Sequence, residues 1–141
     1  MVFTCQNEAE TEALGERVAR SLPEGGVVLA LYGELGAGKT AFVRGLGRGL
    51  GVTGGIVSPT FTIVNEFSGK RELFHFDMYR LGGADELFDI GWEDYLARGG
   101  VCAVEWSENV PEAFDGSEIR VSIEKLSETG RKITVEGLEL C

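Results

Sequence analysis

Positive charge is scarce in this chain. Thirteen lysines and arginines stand against 23 aspartates and glutamates in 141 residues, for a formal net charge of −10. A protein that gripped a nucleic acid backbone unaided would need clustered cations to displace counterions. Any RNA or DNA role is therefore expected to run through partners. Cysteine is scarce too: Cys5, Cys102 and Cys141 stand far apart, with no CxxC pair and no histidine spacing suited to zinc. That excludes a disulfide framework and fits a reducing cytosol. No stretch approaches the roughly 20 apolar residues that cross a bilayer, and Met1 to Glu8 lack a basic segment leading into an apolar run. The expected location is the cytoplasm. No repeat, low-complexity tract or linker interrupts residues 1–141, which are expected to form one domain.

What is present is an ordinary globular balance, 43% hydrophobic and 26% charged, with 21 glycines. Glycine at that level suggests tight turns and close approach of backbone to a ligand. Asn7-Glu8-Ala9-Glu10 reads as an N-cap opening a helix, with Leu14, Val18 and Leu22 at four-residue spacing until Pro23 stops it. Val27 to Tyr32 is continuously apolar, the pattern of a strand buried on both faces of a parallel sheet. A second helix is expected from Thr40 to about Leu50. Ile56–Glu66 and Glu72–Asp77, either side of Ser68-Gly69-Lys70, suggest an inserted β-hairpin. Ala84–Phe88 and Trp92–Ala97 read as short helices, and Val101–Glu105 as a second buried strand. Ile119–Glu124 and Lys132–Glu136 alternate around a turn at Glu128-Thr129-Gly130. The fold class is α/β: a three-layer P-loop NTPase fold with a mainly parallel sheet and an inserted hairpin.

The chemistry is carried by Gly33-Glu34-Leu35-Gly36-Ala37-Gly38-Lys39-Thr40, which matches G-x-x-x-x-G-K-[ST] in full. Glycines let successive backbone N–H groups point inward at phosphate oxygens, and the helix opening near Lys39 adds its positive end. Lys39 would place an ammonium on the β- and γ-phosphates, and the Thr40 hydroxyl is a hard oxygen ligand for Mg²⁺. The motif follows a buried strand and opens an amphipathic helix, as phosphate binding requires. ATP with Mg²⁺ is the expected ligand.

Such a loop also needs an acid near the metal, usually at the end of a neighbouring hydrophobic strand. Glu105 is the best-placed candidate and Asp77 the second. The one histidine, His75, alternates within a strand and reads as a packed, hydrogen-bonded residue. Trp106 could shield the site or belong to the core, and Trp92 reads as packing. The acidic runs at Ala84–Asp94 and Asn109–Glu118 read as solvated surface.

Beyond the loop, several landmarks follow in order. They are Ser58-Pro59-Thr60-Phe61, His75-Phe76-Asp77-Met78-Tyr79-Arg80-Leu81, Glu86-Leu87, Gly91 before Tyr95, and Glu105-Trp106. With the loop, this set resembles the TsaE (YjeE) family, the P-loop ATPases of bacterial tRNA threonylcarbamoyladenosine (t6A) biosynthesis, from about Asn7 to Lys132. The resemblance implies that Thr40 and Glu105 ligate Mg²⁺. It makes Ser58–Phe61 a switch-like segment with Thr60 the polar contact, and Asp77 necessary for turnover. Gly130-Arg131 would lie on the nucleotide side, and Ala41 stands where many members carry a second threonine. The implied activity is slow ATP hydrolysis that depends on partners. TsaD and TsaB would be those partners, tRNA would be met only through them, and hydrolysis would reset the complex between turnovers.

Two other readings compete. A free-standing nucleoside or small-molecule kinase would need an acceptor site and an arginine-bearing lid, and no such insertion is evident. A nucleotide-gated interaction module would hydrolyse little. No N-K-x-D guanine motif occurs.

Overall fold

The computed structural model describes residues 1–34, 36–53, 64–78 and 84–140. Leu35, the segment Ser58–Phe61 with Thr60, the stretch Tyr79-Arg80-Leu81 and Cys141 lie outside the described residues.

The central strand is β2 (Val27–Tyr32), whose apolar run is buried on both faces as expected. It pairs in parallel with β5 (Val101–Glu105) on one side and β6 (Ile119–Lys125) on the other. β4 (Leu73–Asp77) joins β5 in parallel, so four strands run together at the heart of the sheet. The margins are antiparallel. β3 (Val64–Phe67) pairs with β4, and β7 (Arg131–Glu136) pairs with β6. The order is β1-β7-β6-β2-β5-β4-β3. The described part of the expected hairpin is β3–β4, with its second strand built into the main sheet, and residues 56–63 of its first arm lie outside the described residues.

An outer strand, β1 (Val2–Cys5), was not expected from the sequence. It is short, and the strand it pairs with, β7, lies at the far end of the chain.

Helix α1 (Glu8–Ser21) opens as its sequence suggests. The Asn7 side chain accepts from Glu10 N at 2.9 Å, and Glu10 reaches back to Gln6 N at 2.9 Å, a reciprocal cap. Helix α2 (Lys39–Gly49) follows the loop. Leu14 and Val18 of α1 and Phe42, Val43 and Leu46 of α2 pack on Leu29, Leu31, Leu73, Val101 and Ala103. Helices α3 (Ala84–Asp89) and α4 (Trp92–Ala97) cover the opposite face, where Leu87 and Trp92 meet Phe74, Phe76, Cys102 and Val104. Three layers result.

Nine described glycines have the positive φ expected of turns and the loop, but Gly15, Gly45 and Gly49 serve neither turn nor ligand. A Cβ on Gly45 would lie 1.9 Å from the Glu12 carbonyl oxygen, and one on Gly15 would lie 2.2 Å from that of Phe42. One on Gly49 would reach Ala19 Cβ at 2.6 Å. Helices α1 and α2 thus touch backbone to backbone. Arg44 to Glu8 at 2.7 Å and Arg48 to Glu12 at 2.8 Å lace the seam from outside. A second correction concerns Glu118. It is buried rather than solvated, because it accepts from Gly116 N at 2.8 Å and from Arg120 Nε at 3.1 Å.

Candidate functional site at the phosphate-binding loop

Parallel pairing brings the chemistry-bearing residues to one edge. In register, Leu31 of β2 faces Glu105 of β5, and Glu105 faces Asp77 of β4. The loop leaves β2 one residue after Leu31's neighbour Tyr32, so it rises beside both acids at the carboxyl ends of the strands. Crevices in open α/β sheets form at such ends.

The loop's glycines are there for backbone reasons. Gly33 has φ +153°, and a Cβ on it would come 2.7 Å from the Ile123 carbonyl oxygen of β6. Gly38 has φ +106° and occupies the N-cap of α2. Lacking a side chain, it makes no side-chain cap bond, so the first-turn amides are not claimed by one. Glu34 O accepts from Ala37 N at 3.0 Å, which curls the loop, and Ala37 is buried.

Lys39 is buried although charged. Its Nζ donates to Gly33 O at 2.6 Å and sits 3.5 Å from the centroid of the Trp106 ring. Trp106 follows Glu105 in the left-handed region, φ +59°, a conformation a bulky residue rarely adopts. The tryptophan is partly buried and packs against the cluster of Phe74, Phe76 and Val104, and its face carries the lysine ammonium. Burial pushes Lys39 below the ordinary lysine range, and the carboxylates of Glu105, Glu108 and Asp77 pull it partly back.

A cavity of about 280 Å³ opens between the loop and the strand ends. Gly36, Gly38, Lys39, Thr40, Asp77 and Glu105 line it, with Glu8, Ala41, Arg44 and Trp106. The structure therefore gathers Gly36, Gly38, Lys39, Thr40 and Ala41 with both candidate acids, while Gly33, Glu34 and Ala37 do not line this cavity. Thr40, Glu105 and Asp77 offer hard oxygens only. Among the described residues, no group of three or more His, Cys, Asp or Glu is poised to hold a metal alone. That donor set fits Mg²⁺, which binds through one or two protein groups together with substrate phosphates.

Arg131 stands apart from this cavity wall. Its Nε donates to Ala37 O at 2.7 Å and its Nη2 to Gly36 O at 3.3 Å. Its Nη1 donates to Ser127 O and Gly130 O in the β6–β7 turn. The guanidinium braces the loop from outside and borders a second cavity of about 200 Å³, between Thr11, the loop and Glu128-Thr129.

One contact escaped sequence reasoning. His75, fully buried, meets the Glu105 carboxylate through Nε2. Nothing in the sequence alone places β4 beside β5, so the pair was not legible there.

A family model described as "Threonylcarbamoyl adenosine biosynthesis protein TsaE" matches residues 5–133, nearly the whole chain. The chain belongs to the TsaE family. Family members include the tRNA threonylcarbamoyladenosine biosynthesis protein TsaE of Treponema pallidum, 42% identical across 89% of this chain and 93% of that one. The protein of the same name from Synechocystis is 49% identical across 79% of this chain and 73% of its own. In three dimensions the chain is similar to Bacillus subtilis YdiB, with a TM-score of 0.80 and 32% identity, covering 96% of this chain and 83% of that one. The TsaE family works in threonylcarbamoyladenosine biosynthesis, a tRNA modification. Among the described residues no helix is long and apolar enough to cross a membrane.

Proposed function

We propose that this TsaE-family chain binds ATP with Mg²⁺ on Gly33–Thr40 and hydrolyses it in the service of t6A formation on tRNA. The observation that carries the reading is the meeting of Lys39, Thr40, Asp77 and Glu105 around one cavity at the mouth of the loop. Lys39 exchanges its bond to Gly33 O for the β- and γ-phosphates. The buried site strengthens that contact, because low polarity raises the worth of a charge pair. Thr40 and Glu105 would hold Mg²⁺, which would supply positive charge to offset that of the phosphates. Asp77, in register beside Glu105, would orient water or support the bound metal, and turnover would depend on it. Ala41, the third residue of α2, carries no hydroxyl, so Thr40 alone would supply the loop's metal oxygen. The second cavity, beside Thr11 and Arg131, gives the nucleoside end of ATP somewhere to lie.

A chain carrying 23 acids against 13 bases is suited to meeting tRNA through other proteins. TsaD and TsaB fill that place, and hydrolysis resets their complex between turnovers. The deciding measurement is ATP hydrolysis by the chain alone and with the TsaB–TsaD pair from the same source. Slow hydrolysis that rises with the pair supports the reading. Hydrolysis indifferent to the pair, with ATP binding intact, leaves the loop and removes the pathway. Product formation that itself needs hydrolysis within a single turnover would overturn the resetting role.

A further inference from the structure

We propose that His75 is a positioning residue for Glu105, fixing the carboxylate that faces the metal. The proposal rests on the reading of Glu105 as a Mg²⁺ ligand.

Side chains alternate along a strand, so His75 shares a face of β4 with Asp77, two residues on. Its cross-strand neighbour on β5 is Ala103, and the next residue of β5 on that face is Glu105. The small alanine leaves the imidazole room to lie along the sheet toward the carboxylate. Nε2 meets Glu105 Oε2 there, with both groups buried. An ionised carboxylate only accepts, so the hydrogen bond puts the ring proton on Nε2.

The other ring nitrogen decides between packing and positioning. Nδ1 is buried and has no hydrogen-bond partner among the described residues. Buried polar atoms are nearly always satisfied, so a histidine held for packing alone should have both nitrogens bonded or be replaced by an apolar ring. Phenylalanine already fills Phe74 and Phe76 on either side in sequence. Among the described residues, the hydrogen bond that His75 makes goes to the site's carboxylate. A carboxylate held this way does not have to be ordered when a cation arrives. Outer partners of metal ligands typically set affinity by about 10–100-fold.

The readout is the ratio of ATP affinity in Mg²⁺ to ATP affinity in EDTA, by calorimetry on the whole chain. For His75→Phe, which keeps bulk and removes the donor, the ratio is expected to fall about tenfold. Affinity in EDTA should hold within about twofold, since the phosphate clamp is untouched. His75→Gln, whose amide nitrogen can stand near the position of Nε2, should recover most of the ratio. A folded His75→Phe chain with the wild-type ratio would make His75 a packing residue and end the proposal. Glu105→Ala is the separate control. If that variant keeps the ratio, the metal reading of Glu105 fails, whatever His75 does. Should His75→Phe not fold by circular dichroism, His75→Gln and His75→Asn take its place. The shorter asparagine should lose what glutamine keeps, and equal ratios in the two would overturn the proposal.

Discussion

Leu73, His75 and Asp77 of β4 turn toward α2, while Phe74 and Phe76 of the same strand turn toward α3 and α4. The two faces are closed by different means. On the α2 side, backbone meets backbone at Gly15, Gly45 and Gly49, and ion pairs line the outside of the seam. On the other side, aromatic rings close the gap edge to face. Phe76 meets Trp92 at 5.1 Å and Tyr95 at 5.2 Å, and Phe74 meets Tyr95 at 5.1 Å. Glycine contacts leave a helix little freedom to slide, so they suit the helix that carries Lys39 and Thr40. Rings supply burial and bulk and tolerate small shifts. The glycine seam sets position, while both faces supply apolar burial.

The comparison breaks most visibly at the seam. Gly45→Leu has no space for its side chain beside the Glu12 carbonyl, so the chain is expected to lose more than about 4 kcal/mol of stability or fail to fold. A urea midpoint near wild type would show that the helices can part freely. Trp92→Ala tests the other face. About 3–5 kcal/mol of stability should go, while the ATP affinity of the molecules still folded stays at the wild-type value. An affinity that fell in step with stability would merge the two roles.

Lys39→Ala reverses that pattern. It should weaken ATP binding by about 1.5–3 kcal/mol, the worth of a charge-assisted contact, and leave the thermal midpoint unchanged or slightly higher, since a buried charge is removed. Unchanged affinity by calorimetry would take the clamp away from Lys39. The smallest effect comes from pH. Burial on the aromatic face pushes the Cys102 thiol up to about 12. The folded chain keeps that proton while the unfolded chain releases it above about pH 9, so stability falls as pH rises from there toward 12. By pH 10 about 1 kcal/mol should be gone relative to Cys102→Ala, read from urea midpoints at pH 8 and 10. Parallel curves for the two proteins would mean that the thiol is accessible.

What the sequence disclosed and what it hid follow a physical division. The loop, its strand and its helix were legible because one contiguous stretch encodes all three. Asn7 announced its helix for the same reason: capping is local. Val101–Glu105 was legible from its apolar run. The β1 strand was hidden because four residues carry little pattern and the partner strand is remote. The glycine seam was misread as turns and ligand contact, since composition cannot say which surface a glycine faces. The four-residue spacing of Ala41, Gly45 and Gly49 was the available sign. Glu118 looked solvated because carboxylates usually are, and the bonds that bury it depend on a local loop conformation. The pairing of His75 with Glu105 needs the order of strands, which a single chain's pattern does not set.

The row formed by Leu31, Glu105 and Asp77 has a consequence for how such a chain can change length. A one-residue insertion within β4 or β5 would turn an acid to the aromatic face and put a phenylalanine or a valine in its place, because the side-chain period is two. The same insertion in the Leu126–Gly130 turn lengthens a connection and leaves every pairing intact. Gains and losses of residues should therefore be confined to the connections, with the strands that end at the crevice fixed in count.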